Sequence, residues 1–138
     1  MVQIVIDTNV LVAAMRSRHG RSNELLRRLS DPRWQVNISA TLLLEYEEVL
    51  GREAARGNFP TEVPTILVDR FCAIARHHAI FFRWRPQLSD PDDEFLVDLA
   101  IRCQCDYIIT FDRRHLAPAE FFGIRVVTPA IFLEIMGA

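Results

Sequence analysis

Two short runs of apolar, mostly β-branched residues each lead to an aspartate. The first is Val2–Ile6, followed by Asp7, and the second is the stretch 107–110, followed after one residue by Asp112. Helix-like sequence surrounds both runs, which is typical of buried strands in a parallel sheet. Ligands of open α/β sheets bind beyond the carboxyl ends of the strands. If both runs belong to one sheet, the two aspartates emerge at the same edge.

The rest of the chain alternates between helical and strand patterns. After the first strand the pattern predicts a helix from about 10, a helix capped by Ser22 or Asn23, and a strand at 34–38. A helix from Ser39 that stops at Gly51, a loop-like stretch at 52–64, a helix at about 65–78 and a short strand at 79–84 follow. The last part is predicted as a helix from about 90 to 103, the strand 107–110, a turn, a strand at 125–127 and a helix from Pro129. This alternation predicts a three-layer α/β/α sandwich with a mainly parallel central sheet. A length of 138 residues indicates a single domain, 1–138.

Composition adds few constraints. Half of the residues are hydrophobic, but no run approaches the roughly 18 apolar residues of a membrane span. The chain begins as a strand and lacks a signal-peptide pattern, so we expect a cytoplasmic protein without a membrane segment. The cysteines lack the spacing of zinc ligands and are expected to be reduced thiols.

All 16 basic residues are arginines, and the formal charge is −2. A codon bias accounts for most of this preference, and no global positive field attracts nucleic acid. Two arginine groups nevertheless fall near the predicted sheet edge: Arg16, Arg18 and Arg21 with His19, and Arg113 and Arg114 with His115. Guanidinium groups can bind phosphate oxygens with two hydrogen bonds.

Two further acids lie at the borders of predicted helix faces. Glu45 borders the apolar face that contains Tyr46, and Asp93 has the same relation to the helix that begins near 90. Helix capping is the simpler explanation for the acids at 90–94, and Asp7 and Asp112 could also be caps. Asp98 is predicted to face solvent.

Convergence of four carboxylates at one edge would instead form a hard, oxygen-rich site. Such a site suits Mg²⁺ or Mn²⁺.

These motifs together resemble the PIN domain, the metal-dependent ribonuclease fold of VapC-type toxins. The resemblance rests on Ile-Asp-Thr-Asn-Val at 6–10, Leu-Glu-Tyr at 44–46, Asp-Pro-Asp-Asp at 90–93 with Ala100, and Thr-Phe-Asp at 110–112, in that order over essentially the whole chain. It implies that the catalytic metal ligands are Asp7, Glu45, Asp93 and Asp112, with Asn9, Thr110 and Asp92 as supporting groups. Spacing to Ala100 favours Asp93 over Asp92 as the ligand.

The resemblance also implies an activity. We expect a Mg²⁺- or Mn²⁺-dependent endoribonuclease that cleaves RNA phosphodiester bonds by metal-activated water, as the toxin of a toxin–antitoxin pair. Single-stranded or looped RNA is the expected substrate, because an A-form duplex hides its base edges. Arg16, Arg18, Arg113 and Arg114 would contact RNA phosphates. A small antitoxin is the expected partner, and homodimer formation is a further expectation.

Three other interpretations remain. The first is a non-catalytic RNA-binding or scaffold protein with a PIN-like fold, which metal affinity would distinguish from a metal-dependent ribonuclease. A phosphatase or response regulator would place acids at strand ends, but the dehalogenase-type phosphatases need a second aspartate where Asn9 stands, and both classes typically use a lysine, which this chain lacks. An α/β protein whose acids only cap helices explains the acids at 90–94 but not two strands that end in acids.

Overall fold

The computed structural model describes residues 1–79 and 91–138, and the side chains of all of these except 91–94. The described elements are, in order, β1 (Val2–Ile6), α1 (Thr8–Arg16), α2 (Arg21–Arg27), β2 (Trp34–Ser39), α3 (Ala40–Ala55), α4 (Val63–Ile74), β3 (Arg76–His78), α5 (Pro91–Arg102), β4 (Tyr107–Ile109), α6 (Arg113–Leu116), a 3₁₀ helix (Ala117–Phe122), β5 (Arg125–Val127) and α7 (Pro129–Ile135). No helix in this part of the chain is long and apolar enough to cross a membrane.

The five strands form one parallel sheet in the order β3-β2-β1-β4-β5. The chain moves outward from β1 to β3 and then returns to the other side of β1. Right-handed crossovers therefore place the helices before β3 and those after it on opposite faces. Accordingly, α3 and α4 pack against β2, and α5 packs across β1 and β2. The predicted three-layer α/β fold is confirmed.

Burial on both faces explains the uninterrupted apolar strands. Ile4, Val5 and Ile6 of β1, and Ile108 and Ile109 of β4, are all fully buried. Each such side chain stabilises the fold by about 1.5–3 kcal/mol relative to exposure. The apolar pattern therefore selects β1 and β4 for the centre of the sheet.

The strand order reverses at β1 and β4, and this reversal positions the site. Ile6 is level with Ile109 in the register, and the Asp7 backbone N–H donates to the Ile109 carbonyl at 2.9 Å. The residues that follow the two strands are consequently neighbours. Such a switch point is where open α/β sheets bind ligands.

The prediction that Gly51 ends the third helix is wrong. Helix α3 continues to Ala55, and the glycine with a positive φ of 82° is Gly57, just beyond the helix end. Gly51 lacks such a positive φ, so it is tolerated inside the helix. The additional turn brings Glu53 to the same side of α3 as Glu45, eight residues earlier.

The helix predicted at about 65–78 also differs from the observed helix in its bounds. Helix α4 spans Val63–Ile74, and β3 pairs with the outer edge of β2 through 76–78. Backbone hydrogen bonds to an open sheet edge override a local helical pattern, which encodes only short-range preference. Of the strand predicted at 79–84, all but Ala79 lies outside the described residues.

Two side-chain predictions need correction. The residue before α2 is Gly20 rather than Ser22 or Asn23, and the Asn23 amide instead donates to the Ala14 carbonyl at 2.9 Å. Asp98 is only 3 % exposed and does not face solvent. Helix α5 packs across the sheet, so a residue such as Asp98, which would face solvent on an outer helix, is buried.

Candidate metal centre

A cleft of about 660 Å³ opens at the carboxyl edge of the sheet. Its walls include the three predicted acids whose side chains the structure describes, namely Asp7, Glu45 and Asp112. Asn9 and Arg16 of α1 also line the cleft. Convergence of these acids, expected from the strand pattern, is therefore observed.

Neither strand-end aspartate acts as a side-chain helix cap. Asp7 precedes α1 and Asp112 precedes α6, but neither carboxylate accepts a capping hydrogen bond. The Asp7 Oδ2 accepts a hydrogen bond from the Thr110 hydroxyl at 2.7 Å. The Asp112 Oδ1 lies 2.8 Å from His115 Nδ1. The capping explanation therefore fails at these two positions.

Thr110 connects the two aspartates. Its fully buried hydroxyl donates to Asp7 and accepts a hydrogen bond from the Asp112 backbone N–H at 2.9 Å. The Asn9 amide donates to the same hydroxyl at 3.4 Å and accepts from the Phe111 N–H at 3.3 Å. Thr110 thus contacts both strand-end aspartates and Asn9 contacts Thr110, while their role as supporting groups for a metal stays a prediction.

Glu45 is positioned by helix α3. Its carboxylate accepts a hydrogen bond from the Thr8 hydroxyl, at the first residue of α1. The next residue, Tyr46, is fully buried, donates its hydroxyl proton to the Ile6 carbonyl and packs on Phe71 with ring centroids 5.0 Å apart. The end of β1 is consequently tied to α3 on both sides of Asp7.

Sequence reasoning placed His115 near this edge and Tyr46 beside Glu45 in a motif, but it missed the hydrogen bonds of Thr8 and Tyr46 and the contact between His115 and Asp112. Thr8 lies between the two motif residues Asp7 and Asn9, and that position was its only signal. Tyr46 was assigned to the buried face of α3 but not to a hydrogen bond. The partners of Thr8 and Tyr46 are 37 and 40 residues away in the chain, a distance that local patterns do not encode.

Burial and neighbouring acids shift the ionisation of the site. Burial raises the pKa of Asp7 from its usual 3.8 to about 6, with further increases from the charges of Glu45 and Asp112, although the Thr110 hydrogen bond opposes the shift. Burial, together with Asp7 and Glu45, also raises the pKa of Tyr46 well above its usual value. A cation in this cleft would relieve the repulsion between the carboxylates.

The side chains of Asp92 and Asp93 lie outside the described residues. Their backbone forms the first turn of α5, and the end of α5 lies near the start of β1, where the Asp106 N–H donates to the Gln3 carbonyl at 2.8 Å. The first turn of α5 is therefore at the carboxyl edge. Among the side chains that are described, no group of three or more His, Cys, Asp or Glu residues is arranged so that it could hold a metal ion.

The four predicted RNA-binding arginines are all exposed, but in different settings. Arg16 lines the cleft and pairs with Glu53 at 2.7 Å. Arg18 lies in the turn after α1, away from the lining. Arg113 and Arg114 begin α6, directly after Asp112.

Comparison with protein families decides the classification. Residues 3–114 match the family model described as PIN domain. The chain belongs to the PIN domain family. The match includes all four motifs and most of the sheet of this PIN domain.

Solved structures with the same fold agree with this assignment. VapBC2 from Rickettsia felis, crystallised with a DNA fragment from its promoter, is 13% identical with a TM-score of 0.58, and the alignment covers 91% of this chain and 97% of that one. VapBC-1 from nontypeable Haemophilus influenzae is 12% identical with a TM-score of 0.59, over 94% of this chain and 99% of that one. No curated protein matches the chain in sequence.

Proposed function

We propose that this PIN domain is a Mg²⁺- or Mn²⁺-dependent endoribonuclease. The observation that carries the proposal is the convergence of Asp7, Glu45 and Asp112 in one cleft, where the pKa of Asp7 rises to about 6. Strongly perturbed carboxylates in a cleft are typical of functional sites. Membership of the PIN family supports the same chemistry.

The donor set fits a hard divalent cation. Asp7 and Asp93 would bind the ion directly, and Glu45 and Asp112 would hold a second ion or orient water. When bound, such an ion lowers the pKa of water and neutralises charge on a phosphodiester. Mg²⁺ and Mn²⁺ both accept carboxylate oxygens.

The chain's own groups would orient these ligands. The Thr110 hydroxyl fixes Asp7 through a 2.7 Å hydrogen bond and also holds the Asp112 backbone. Hydrogen bonds of this kind set the orientation of metal ligands. Because an acidic cleft repels RNA, the exposed guanidinium groups of Arg113 and Arg114 would hold the flanking phosphates.

We further propose that the protein is the toxin of a toxin–antitoxin pair, active in the cytoplasm. The two VapBC structures that share its fold support this role. A small antitoxin would then bind the PIN domain, and a homodimer would be the assembled form.

Calorimetry with Mn²⁺ tests the metal site before any RNA is chosen. Wild type should bind Mn²⁺, whereas Asp93→Asn and Asp7→Asn should bind it much more weakly. Asp31→Asn is a matched control, because Asp31 is an acid at the opposite edge of the sheet that pairs with Arg33 at 2.8 Å. This control should bind Mn²⁺ like wild type.

A cleavage assay on single-stranded RNA then tests the reaction. We expect Asp7→Asn to reduce the Mn²⁺-dependent rate by at least about 100-fold, because loss of a group that only supports a metal ligand already costs about 10- to 100-fold. Wild-type rates in the variant would refute the assignment. A folded wild type that binds no Mn²⁺ would support the non-catalytic alternative.

A further inference from the structure

An exposed aromatic residue directly precedes Asp112, one of the acids that line the cleft. Phe111 is 51 % exposed, although Ile109 and Thr110 immediately before it are fully buried. It lies between the buried threonine that supports Asp7 and the half-buried Asp112. The residues after β4 thus place one exposed apolar side chain next in sequence to an acid that lines the cleft.

The backbone of Phe111 is held in place on both sides. Its N–H donates to the Asn9 side chain at 3.3 Å, and the next N–H, of Asp112, donates to the Thr110 hydroxyl at 2.9 Å. Asn9 and Asp112 both line the cleft. A ring on such a backbone is presented at a fixed place beside the acids, with only two side-chain torsions left to order.

The surroundings of the ring are charged rather than apolar. Arg113 and Arg114 follow within three residues and are exposed. Neither guanidinium pairs with an acid among the described side chains. An exposed aromatic ring followed in the chain by two exposed cations matches a nucleotide, which combines a flat base with an anionic phosphate.

We propose that Phe111 stacks on a base of single-stranded RNA and that Arg113 and Arg114 contact the adjoining phosphates. This inference rests on the proposed ribonuclease function and adds a base-binding subsite to it. Every base has a stacking face, so the subsite would favour unpaired RNA with little sequence preference.

The chain offers a matched control for an exposed ring. Phe121 is 90 % exposed and packs edge-on against Phe122 with ring centroids 5.6 Å apart. It lies near the end of the 3₁₀ helix, which leads to the start of β5 at the opposite edge of the sheet. Removal of this ring should not affect RNA bound at the carboxyl edge.

The test measures binding of fluorescent single-stranded RNA with Mg²⁺ present. An Asp7→Asn background prevents cleavage during the measurement. Adding Phe111→Ala should weaken binding roughly tenfold, since stacking on an aromatic ring contributes substantially for each base. Phe111→Tyr, which keeps the ring, and Phe121→Ala should bind like the parent variant.

A series of RNAs, each with one abasic position, separates stacking from a general effect. At one position the missing base should weaken binding to the parent, but not to the variant with Phe111→Ala. Equal affinities for the parent and Phe111→Ala would overturn the inference and leave the ring to a protein partner. An equal loss in Phe121→Ala would overturn it as well.

Cleavage and Mn²⁺ binding by the unaltered protein are measured in parallel. If wild type binds Mn²⁺ and cleaves RNA while Phe111→Ala binds RNA like its parent, only the stacking inference fails. If wild type binds neither Mn²⁺ nor RNA, the proposed function fails and the stacking inference with it.

Discussion

The two edges of the sheet contain the same kinds of charged residues in opposite arrangements. At the carboxyl edge, burial and the neighbouring acids raise the pKa of Asp7 to about 6. At the amino edge, hydrogen bonds from Arg33 lower the pKa of Asp31 to about 2. Asp31 is matched by an arginine within the fold, whereas Asp7 is buried beside two other acids, Glu45 and Asp112.

Arginines at the amino edge are occupied by the fold itself. Arg33 also donates to the Met136 carbonyl at 2.8 Å and lies 5.1 Å from the Trp34 ring centroid. Arg125 lies over Tyr107 at 5.6 Å. A cleft of about 960 Å³ exists at that edge as well, so cleft size alone does not identify the functional edge. The raised pKa of Asp7 instead supports the proposed site at the carboxyl edge.

The largest expected effect is on the stability of the metal-free protein. Because the pKa of Asp7 is higher in the folded state than the usual 3.8, the folded state holds this proton more tightly. The stabilisation is present below about pH 4 and is lost as pH rises through about 6. Asp7→Asn should therefore increase the free energy of unfolding at pH 7 by up to about 3 kcal/mol, at about 1.4 kcal/mol per pKa unit.

Urea denaturation in EDTA from pH 4 to pH 8 measures this difference. The gap between Asp7→Asn and wild type should open between pH 4 and 6. Asp31→Asn should not alter the pH dependence of stability between pH 4 and 6, because the lowered pKa of Asp31 changes stability only below about pH 4. Equal stability of Asp7→Asn and wild type at pH 7 would remove the basis of the comparison between the edges.

A somewhat smaller effect is expected from Thr110→Val. The change keeps the side-chain shape but removes the hydroxyl that donates to Asp7 and accepts from Asp112. We expect Mn²⁺ affinity to fall by about 10- to 100-fold, because supporting hydrogen bonds orient metal ligands. Calorimetry measures the change directly.

Thr128 provides the control for this substitution, since it also follows a strand. Its hydroxyl caps α7 by accepting from the Ile131 N–H at 3.3 Å. Thr128→Val should lower stability by about 1 kcal/mol with no change in Mn²⁺ affinity. Similar affinity losses in the two variants would show that Thr110 has no special role.

The smallest expected effect is that of Tyr46→Phe. The variant keeps the buried ring against Phe71 but leaves the Ile6 carbonyl without its hydroxyl partner. We expect a loss of about 1–2 kcal/mol in the free energy of unfolding, as for other buried hydrogen bonds. Unchanged stability would mean that this contact does not help to hold α3 against β1.

Local patterns were sufficient wherever a residue's role depends on its immediate neighbours. The apolar runs predicted β1 and β4, and the aspartates after them were correctly expected to converge. The end of α3 and the strand at 76–78 were not predicted, because Gly51 is tolerated within a helix and β3 forms only against the edge of β2. Burial of Asp98 likewise depends on α5 lying across the sheet.

The sequence by itself therefore determined the α/β class, the central strands and the acids that follow them, since strand burial and strand-end position follow from short-range hydrophobic pattern. Only the tertiary structure decided how those acids are held and charged. Asp7 meets Thr110 across 103 residues of chain, and Glu45 meets Thr8 across 37. The raised pKa of Asp7 arises from burial and from the charges of Glu45 and Asp112, against the opposing Thr110 hydrogen bond, and such proximity exists only once the sheet and helices have packed.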